Sequence, residues 1–152
     1  MNRAIGAAAL LLLALTSCRG LDVVTASYNT LADARQAGAI DQGWLPEGLP
    51  PGTTDLREAH DPNTNARWGL FNFPVAESSH LTSMLETVDM PLAGQRCNPP
   101  RRIEWWPILL RGDLDAERIA AAGLKAHRTR DGALIVAVNW KQGRAYYWNA
   151  SK

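Results

Sequence analysis

The segment Leu124–Trp148, LKAHRTRDGALIVAVNWKQGRAYYW, decides the fold class. It contains three β-prone runs, at Leu124–Arg130, Ala133–Trp140 and Arg144–Trp148. The first two runs are separated by Asp131-Gly132, a pair that favours a two-residue hairpin turn. The middle run is apolar at almost every position, which is typical of a central strand covered on both faces. The segment therefore predicts a three-stranded antiparallel meander with Ala133–Trp140 in the middle.

The N-terminal half predicts further strands and one short helix. Leu21–Tyr28 is β-prone, and Thr30 is a suitable N-cap for a helix over Leu31–Ala37 that ends at Gly38. Two more strands around a turn are expected at 53–60 and 65–73. Between the helix and these strands, a Pro/Gly-rich passage excludes regular structure.

Two further helices are expected between these strands and the meander. Ser79 is a candidate N-cap for a helix that ends before Pro91. Its apolar stripe has helical spacing and consists of Leu81, Met84, Leu85 and Val88. Asp113 is a candidate N-cap for a helix over Leu114–Ala122, with Gly123 after it. The fold class is therefore α+β: a small single domain with an antiparallel sheet, the C-terminal meander, and two to three packed helices.

The N-terminus has the pattern of an export signal. Arg3 precedes an uncharged apolar run, Ile5–Leu15, which is too short to span a bilayer and has no stop-transfer pattern after it. The following tetrapeptide, Leu15-Thr16-Ser17-Cys18, resembles the lipobox of bacterial lipoproteins. This resemblance implies diacylglyceryl attachment to the sulfur of Cys18, cleavage before it, and N-acylation by a fatty acid such as palmitate.

These features predict the domain organisation and the location. Residues 1–17 are the signal peptide, 18–28 the lipidated N-terminus with a short tether or first strand, and 29–152 a single α+β domain. The implied location is the cell envelope, anchored to the membrane through lipid on Cys18. Because Arg19 replaces the aspartate that retains such proteins in the inner membrane, a cell with two membranes would carry the protein on its outer membrane, facing the periplasm.

The charge balance argues against a nucleic-acid partner. The chain has 16 Lys and Arg against 15 Asp and Glu, and loss of Arg3 with the leader makes the two numbers equal. A basic surface field of the kind that attracts phosphate backbones is therefore not expected.

The stretch DLREAHDPNTNARW is the densest set of potential metal ligands. Asp61, Asn63 and Asn65 match the first ligand positions of a calcium loop, but Ala66 stands where a glycine is needed and Asn72 where a glutamate is needed. Asp61-Pro62-Asn63-Thr64 instead fits a type I turn. We therefore expect a structural turn, and neither a metal nor another cofactor.

A catalytic site is not expected either. Cys97, or Ser78 or Ser79, would need one of the histidines His60, His80 and His127 as a base, and no local signature supports such an arrangement. Because lipidation of Cys18 leaves Cys97 without an intrachain partner, Cys97 is expected to be either buried or paired with another molecule.

The stretch RRIEWWPILLRG is the candidate ligand-binding site. Aromatic faces stack on sugar rings and guanidinium groups bind carboxylate or phosphate, so a glycan or an anionic lipid head group would fit. The candidate residues are Arg101, Arg102, Trp105, Trp106 and Arg111. In the alternative interpretation, one indole fills the core and the arginines are solvated.

The mature part also resembles the YbbD head domain family. The resemblance rests on Trp44-Leu45-Pro46, Leu49-Pro50, His60-Asp61, Thr64-Asn65 and Tyr146-Tyr147-Trp148. It implies a compact envelope or secreted module of unsettled role and supplies no catalytic residues. The predicted function is a membrane-anchored binding module for an envelope protein or glycan. The alternatives are an immunity-like lipoprotein that blocks a toxin and a hydrolase acting on envelope polymers.

Overall fold

The computed structural model describes residues 23–150, which form one antiparallel sheet with helices and loops on both faces. The six strands of the sheet follow the order β1-β2-β3-β8-β7-β6. Their bounds are Val24–Thr30 (β1), Thr54–His60 (β2), Arg67–Asn72 (β3), Lys125–Arg128 (β6), Leu134–Asn139 (β7) and Arg144–Asn149 (β8). A separate two-stranded ribbon pairs Arg96–Cys97 (β4) with Gly112–Asp113 (β5).

The helices are short. They are Leu31–Gln36 (α1), Ser78–Ser83 (α2) and Ala116–Ala121 (α3), with single 3-10 turns at Val75–Glu77 and Ile108–Leu110. Helix α1 begins with a capping box, in which the Thr30 hydroxyl accepts the Asp33 N–H and the Asp33 carboxylate accepts the Thr30 N–H. The predicted α+β class and the Thr30 cap are confirmed.

The C-terminal meander is also confirmed, with every residue of β7 buried between β6 and β8. The predicted two-residue turn is wrong, because the loop between β6 and β7 is longer. The Thr129 N–H donates to the Leu134 carbonyl at 2.9 Å, which leaves four residues between the paired positions. Gly132 supplies the left-handed backbone conformation that this loop requires, with φ at 72°.

The sheet separates two hydrophobic cores. The first core lies between the sheet and the side formed by α1, the 37–52 loop and α2, with Leu31, Leu45 and Leu81 packed on Phe71 and Tyr147. The second core lies on the opposite face, where the segment 90–124 covers the sheet. Its members include Cys97, Ile103, Trp106, Ile119 and Trp148. The central strands are thus covered on both faces, as their continuous apolar sequence requires.

The predicted helix with the apolar stripe is wrong beyond Ser83. Helix α2 ends at Met84, whose carbonyl accepts the Arg130 N–H, and the Glu86 N–H donates to the Arg128 carbonyl. These hydrogen bonds fix the chain against the end of β6, so the backbone cannot continue as a helix. Val88, predicted to lie on the buried stripe, is 72% exposed. The cap was misplaced as well, since Glu77 occupies the N-cap position predicted for Ser79.

The predicted start of the last helix is also wrong. Asp113 belongs to β5 and pairs with Arg96, and the Leu114 N–H donates to the Gln95 carbonyl. Asp115 is the actual N-cap, and its carboxylate accepts the N–H groups of residues 117 and 118. Ribbon formation therefore moves the start of α3 two residues along the chain.

The first strand crosses the boundary that the sequence placed at residue 28. β1 runs from Val24 to Thr30 and pairs with β2 through every residue except Asn29, so it belongs to the domain. The signal peptide, Cys18 and Arg19 lie outside the described residues.

Candidate functional site

A buried acid–histidine pair lies on the β2 strand, facing the first core. The Glu58 and His60 side chains are 2% and 8% exposed, and the Glu58 Oε2 and His60 Nδ1 atoms lie 2.7 Å apart. The Trp44 ring stacks on the imidazole ring with a centroid distance of 3.6 Å and an interplanar angle of 7°. The indole therefore shields the pair from solvent.

Tyr147 lies on the same face of the sheet as this pair, on strand β8. Gly69 lies between Glu58 on β2 and Tyr147 on β8 in the pairing register. Because Gly69 has no side chain, the Tyr147 ring occupies the space above it, and a Cβ there would come within 2.2 Å of the ring. The Tyr147 hydroxyl donates a hydrogen bond to the Trp44 carbonyl at 2.8 Å. Trp44, His60 and Tyr147 thus fix the 37–52 loop onto the sheet.

The electrostatics of this cluster favour protonated groups. Burial raises the pKa of Glu58, and the hydrogen bond from His60 opposes that shift only in part. Burial also raises the pKa of Tyr147, and the nearby Glu58 carboxylate adds to the effect. The same two causes raise the pKa of Tyr28. A buried carboxyl beside an imidazole can hold or exchange a proton, but here the indole of Trp44 covers it.

An open cleft of about 500 Å³ adjoins the cluster. Arg67 forms part of its wall and donates through Nη1 to the Gly43 carbonyl, while its buried Nε has no acceptor among residues 23–150. The other charged residues of the lining are Asp41, Glu47, Arg130 and Asp131. The pKa of Asp131 is lowered mainly by the Thr129 hydroxyl that donates to it. The cleft therefore presents both charge signs around an apolar floor.

The predicted turn at Asp61–Asn65 is confirmed. The Asp61 carboxylate accepts the Asn63 N–H and the Thr64 hydroxyl, each at 2.9 Å. These bonds, the Asn63 amide first, lower the pKa of Asp61. Asn65 takes the left-handed conformation, with φ at 58°, that closes the loop back onto β3. Both carboxylate oxygens of Asp61 are thus used inside the turn.

The five residues of the predicted Trp/Arg site have different structural roles. Trp106 is 2% exposed, and its indole donates to the Leu110 carbonyl at 2.9 Å. Arg111 donates to the Ile103 carbonyl at 2.7 Å and stabilises its own segment. Trp105 is half-buried, while Arg101 and Arg102 are exposed. One indole does fill the core, and ligand binding by this cluster stays a prediction.

The groups considered as nucleophiles and bases are dispersed. Cys97 lies in the second core, where burial raises its pKa to about 12, whereas His60 faces the first core. The Ser78 hydroxyl donates to the Val75 carbonyl, and Ser79 and His80 are exposed on α2. Burial lowers the pKa of His127, whose ring contacts that of Trp140 edge-on. Cys97 was expected to be either buried or paired with another molecule, and in the structure its thiol is buried.

The fold and the site define a small α+β domain built around a covered acid–histidine pair. Comparison with known proteins adds that residues 22–72 match the model of the YbbD head domain, which confirms the resemblance over that part of the chain. The match ends before the Tyr146-Tyr147-Trp148 motif. No curated protein and no solved structure matches the chain. Among residues 23–150, no helix has the length and apolar character needed to cross a membrane.

The Glu58–His60–Trp44 cluster was not predicted as a unit from the sequence. Its signal was present, because residues 56, 58 and 60 alternate onto one face of a strand and Leu56 is the apolar member of that set. Trp44, His60 and Tyr147 were noted in the sequence only because they carry the family resemblance. The structure shows that these three residues belong to one packed network.

Proposed function

We propose that the chain is an envelope lipoprotein, anchored through acyl chains on Cys18, whose sheet domain acts as a binding module for an envelope protein or glycan. The supporting observation is that β1 begins at Val24, six positions after Cys18. Even fully extended, six residues reach only about 20 Å. A lipid on Cys18 would therefore hold the sheet domain close to the membrane surface.

The anchor itself is strong enough for permanent attachment. Each buried methylene contributes about 0.8 kcal/mol, so a diacylglyceryl group with a further acyl chain holds a protein essentially irreversibly. With Arg19 after the cysteine, the outer membrane is the proposed location in a cell with two membranes.

A binding role is favoured over a catalytic one by how the reactive side chains are used. Trp44 covers the Glu58–His60 pair, Asp61 bonds its own turn, and Cys97 has a raised pKa in a core. A nucleophile needs an accessible base within about 3 Å, and none of these groups is so placed. The cleft beside Arg67, with both charge signs on its walls, is the proposed contact surface for a polar partner.

The anchor is tested by mass spectrometry of the native N-terminus and by fractionation of a Cys18→Ser variant. We expect a mature protein that begins at acylated Cys18, and a variant that leaves the membrane fraction. An unmodified N-terminus at another residue, or a Cys18→Ser protein that still sediments with membranes, contradicts the anchor.

The binding role is tested by cross-linking in intact cells followed by pull-down. Glu47 and Glu117 are both exposed, but only Glu47 lines the cleft. A Glu47→Arg substitution should reduce the recovered partner, and Glu117→Arg should not. Equal recovery with both variants contradicts the cleft as the contact surface, and hydrolysis of an envelope polymer by the purified protein contradicts a purely binding role.

A further inference from the structure

The two edge strands of the sheet, β6 and β1, differ in how far they are covered. The outer edge of β6 is covered by the chain that follows α2. The Glu86 N–H donates to the Arg128 carbonyl at 2.8 Å, and Asp89 forms an ion pair with Lys125 at 2.7 Å. Covering and charged side chains are the usual means by which proteins prevent an edge strand from pairing with another chain.

Among residues 23–150, the β1 edge has none of these protections beyond the bond at Thr30. Its seven residues, VTASYNT, contain no charged residue and no proline, and six of them, all except Asn29, pair with β2 in one constant register. Among residues 23–150, no strand pairs with the outer side of β1. A strand of this length and regularity is a template for strand addition.

The hydrogen-bond alternation identifies which backbone groups of β1 face outward. The Leu31 N–H donates to the Thr53 carbonyl, so this pair marks the positions that bond to β2. In an antiparallel pair, bonded and non-bonded positions alternate, so Thr25 and Ser27, which pair with Ala59 and Arg57, also bond to β2. Val24, Ala26 and Tyr28 therefore direct their N–H and C=O groups away from the sheet. The Thr30 N–H is already taken by the Asp33 carboxylate.

We propose that the occupant of this edge is a second copy of the chain, paired antiparallel through β1 about a two-fold axis at Ser27. This register places Ala26 opposite Tyr28 of the second copy, and Tyr28 opposite its Ala26. These two pairs have their backbone groups directed outward, so they form a ladder of hydrogen bonds across the axis. Ser27 then faces Ser27 of the second copy at a non-hydrogen-bonded position.

The sequence of β1 is self-complementary in this register. A small side chain meets a large one at Ala26 and Tyr28, and Val24 meets Thr30 without any charge on either strand. An isologous contact of this kind forms a closed dimer. Further assembly through the sheet is prevented because the β6 edge of each copy is covered. The two sheets join into one continuous sheet.

The register is tested by disulfide trapping of the full-length protein in its native membranes. Cysteine at position 27 would lie opposite itself in the dimer. Thr25 is a matched control, since it is exposed on the same face, but its two copies would be about 13 Å apart, beyond the 7 Å that a disulfide tolerates. Mild oxidation should give a covalent dimer with Ser27→Cys and none with Thr25→Cys or with the wild type.

A second arm uses co-expressed Thr25→Cys and Asn29→Cys chains, whose cysteines the same register brings opposite each other. These should form a mixed dimer, and adding Ser27→Lys to both chains should abolish it by placing two ammonium groups together. Because Ser27 is exposed, Ser27→Lys should keep the native fold, which far-UV circular dichroism of the purified variant checks. Equal trapping of Ser27→Cys and Thr25→Cys, an undiminished mixed dimer with Ser27→Lys, or trapping to a different protein would overturn the proposal.

Discussion

Replacing Gly69 with alanine is expected to destabilise the protein, although a general rule predicts the opposite. Glycine within a strand costs about 0.5–1 kcal/mol relative to alanine, because it loses more backbone freedom on folding. The backbone of Gly69 is not in the left-handed region, so alanine would face no conformational penalty there. From the sequence alone, Gly69→Ala should therefore raise the free energy of unfolding.

The structure reverses that sign. An added Cβ would lie 2.2 Å from the Tyr147 Cζ and Oη atoms, and Tyr147 is fully buried. Overpacking of a core typically costs about 1–3 kcal/mol. Displacing the ring also breaks the hydrogen bond to Trp44, and an unsatisfied buried hydroxyl costs about 1–3 kcal/mol more. Together these costs come to about 2–6 kcal/mol, which exceeds the backbone gain, so Gly69→Ala should lower the free energy of unfolding.

The assay is urea unfolding followed by tryptophan fluorescence, with a double-mutant cycle as the control. Tyr147→Leu removes the ring tip that the new methyl group would strike, at the cost of a cavity. In that background Gly69→Ala should be neutral or stabilising, because the methyl group enters space that the ring has left. A Gly69→Ala protein as stable as the wild type would refute the reasoning, as would the same loss in both backgrounds.

Three further predictions concern other parts of the domain. Val136→Asp places an unpaired charge in the buried β7 strand and should cost about 3–5 kcal/mol, whereas Val88→Asp, at an exposed position, should change the urea midpoint little. Burial raises the pKa of Glu58, so the folded state keeps this proton to higher pH than the unfolded chain. The stability that the proton contributes falls as the pH rises from the ordinary glutamate pKa of 4.5 through the folded pKa. Relative to Glu58→Gln, the wild type should therefore lose stability in melts taken from pH 4 upward, and a gain would contradict the burial argument. Asp61→Ala should lower the melting temperature equally with EDTA, calcium or zinc, because its carboxylate bonds the turn, and a metal-dependent rise in the wild type that disappears in the variant would show a metal site instead.

The sequence predicted those elements whose signals are local. The Thr30 cap and the strand sequence Leu134–Asn139 each carry their cause within a few residues, and both are confirmed. The length of α2 and the cap of α3 were missed because distant partners decide them. Met84 bonds to Arg130, and Asp113 pairs with Arg96 across the β4–β5 ribbon. Local helical spacing contains no information on such competition.

The candidate site was only half predictable for the same reason. Alternation along β2 assigns Glu58 and His60 to one face, but nothing local indicates that Trp44 returns from a loop to stack on His60. The Trp/Arg cluster was predicted from composition, which cannot tell an indole that fills a core from one that faces solvent. Trp106 proved to be the former, and its hydrogen bond to Leu110 satisfies the indole N–H within the chain.

The segment that matches the family model is not a complete folding unit in this chain. Residues 22–72 supply β1, α1, β2 and β3, and the match ends where β3 still needs a neighbour. In this chain β8 is that neighbour, and its Tyr147 crosses above Gly69 to bond the loop that carries Trp44. The matched segment therefore depends on the C-terminal meander for its core, whereas its β1 edge and the Trp44 loop remain on the outside of the completed sheet. A truncation after Asn72 should consequently fail to fold, because it exposes the β3 edge and removes the cover of Phe71, and binding surfaces on β1 or the loop should be lost with it.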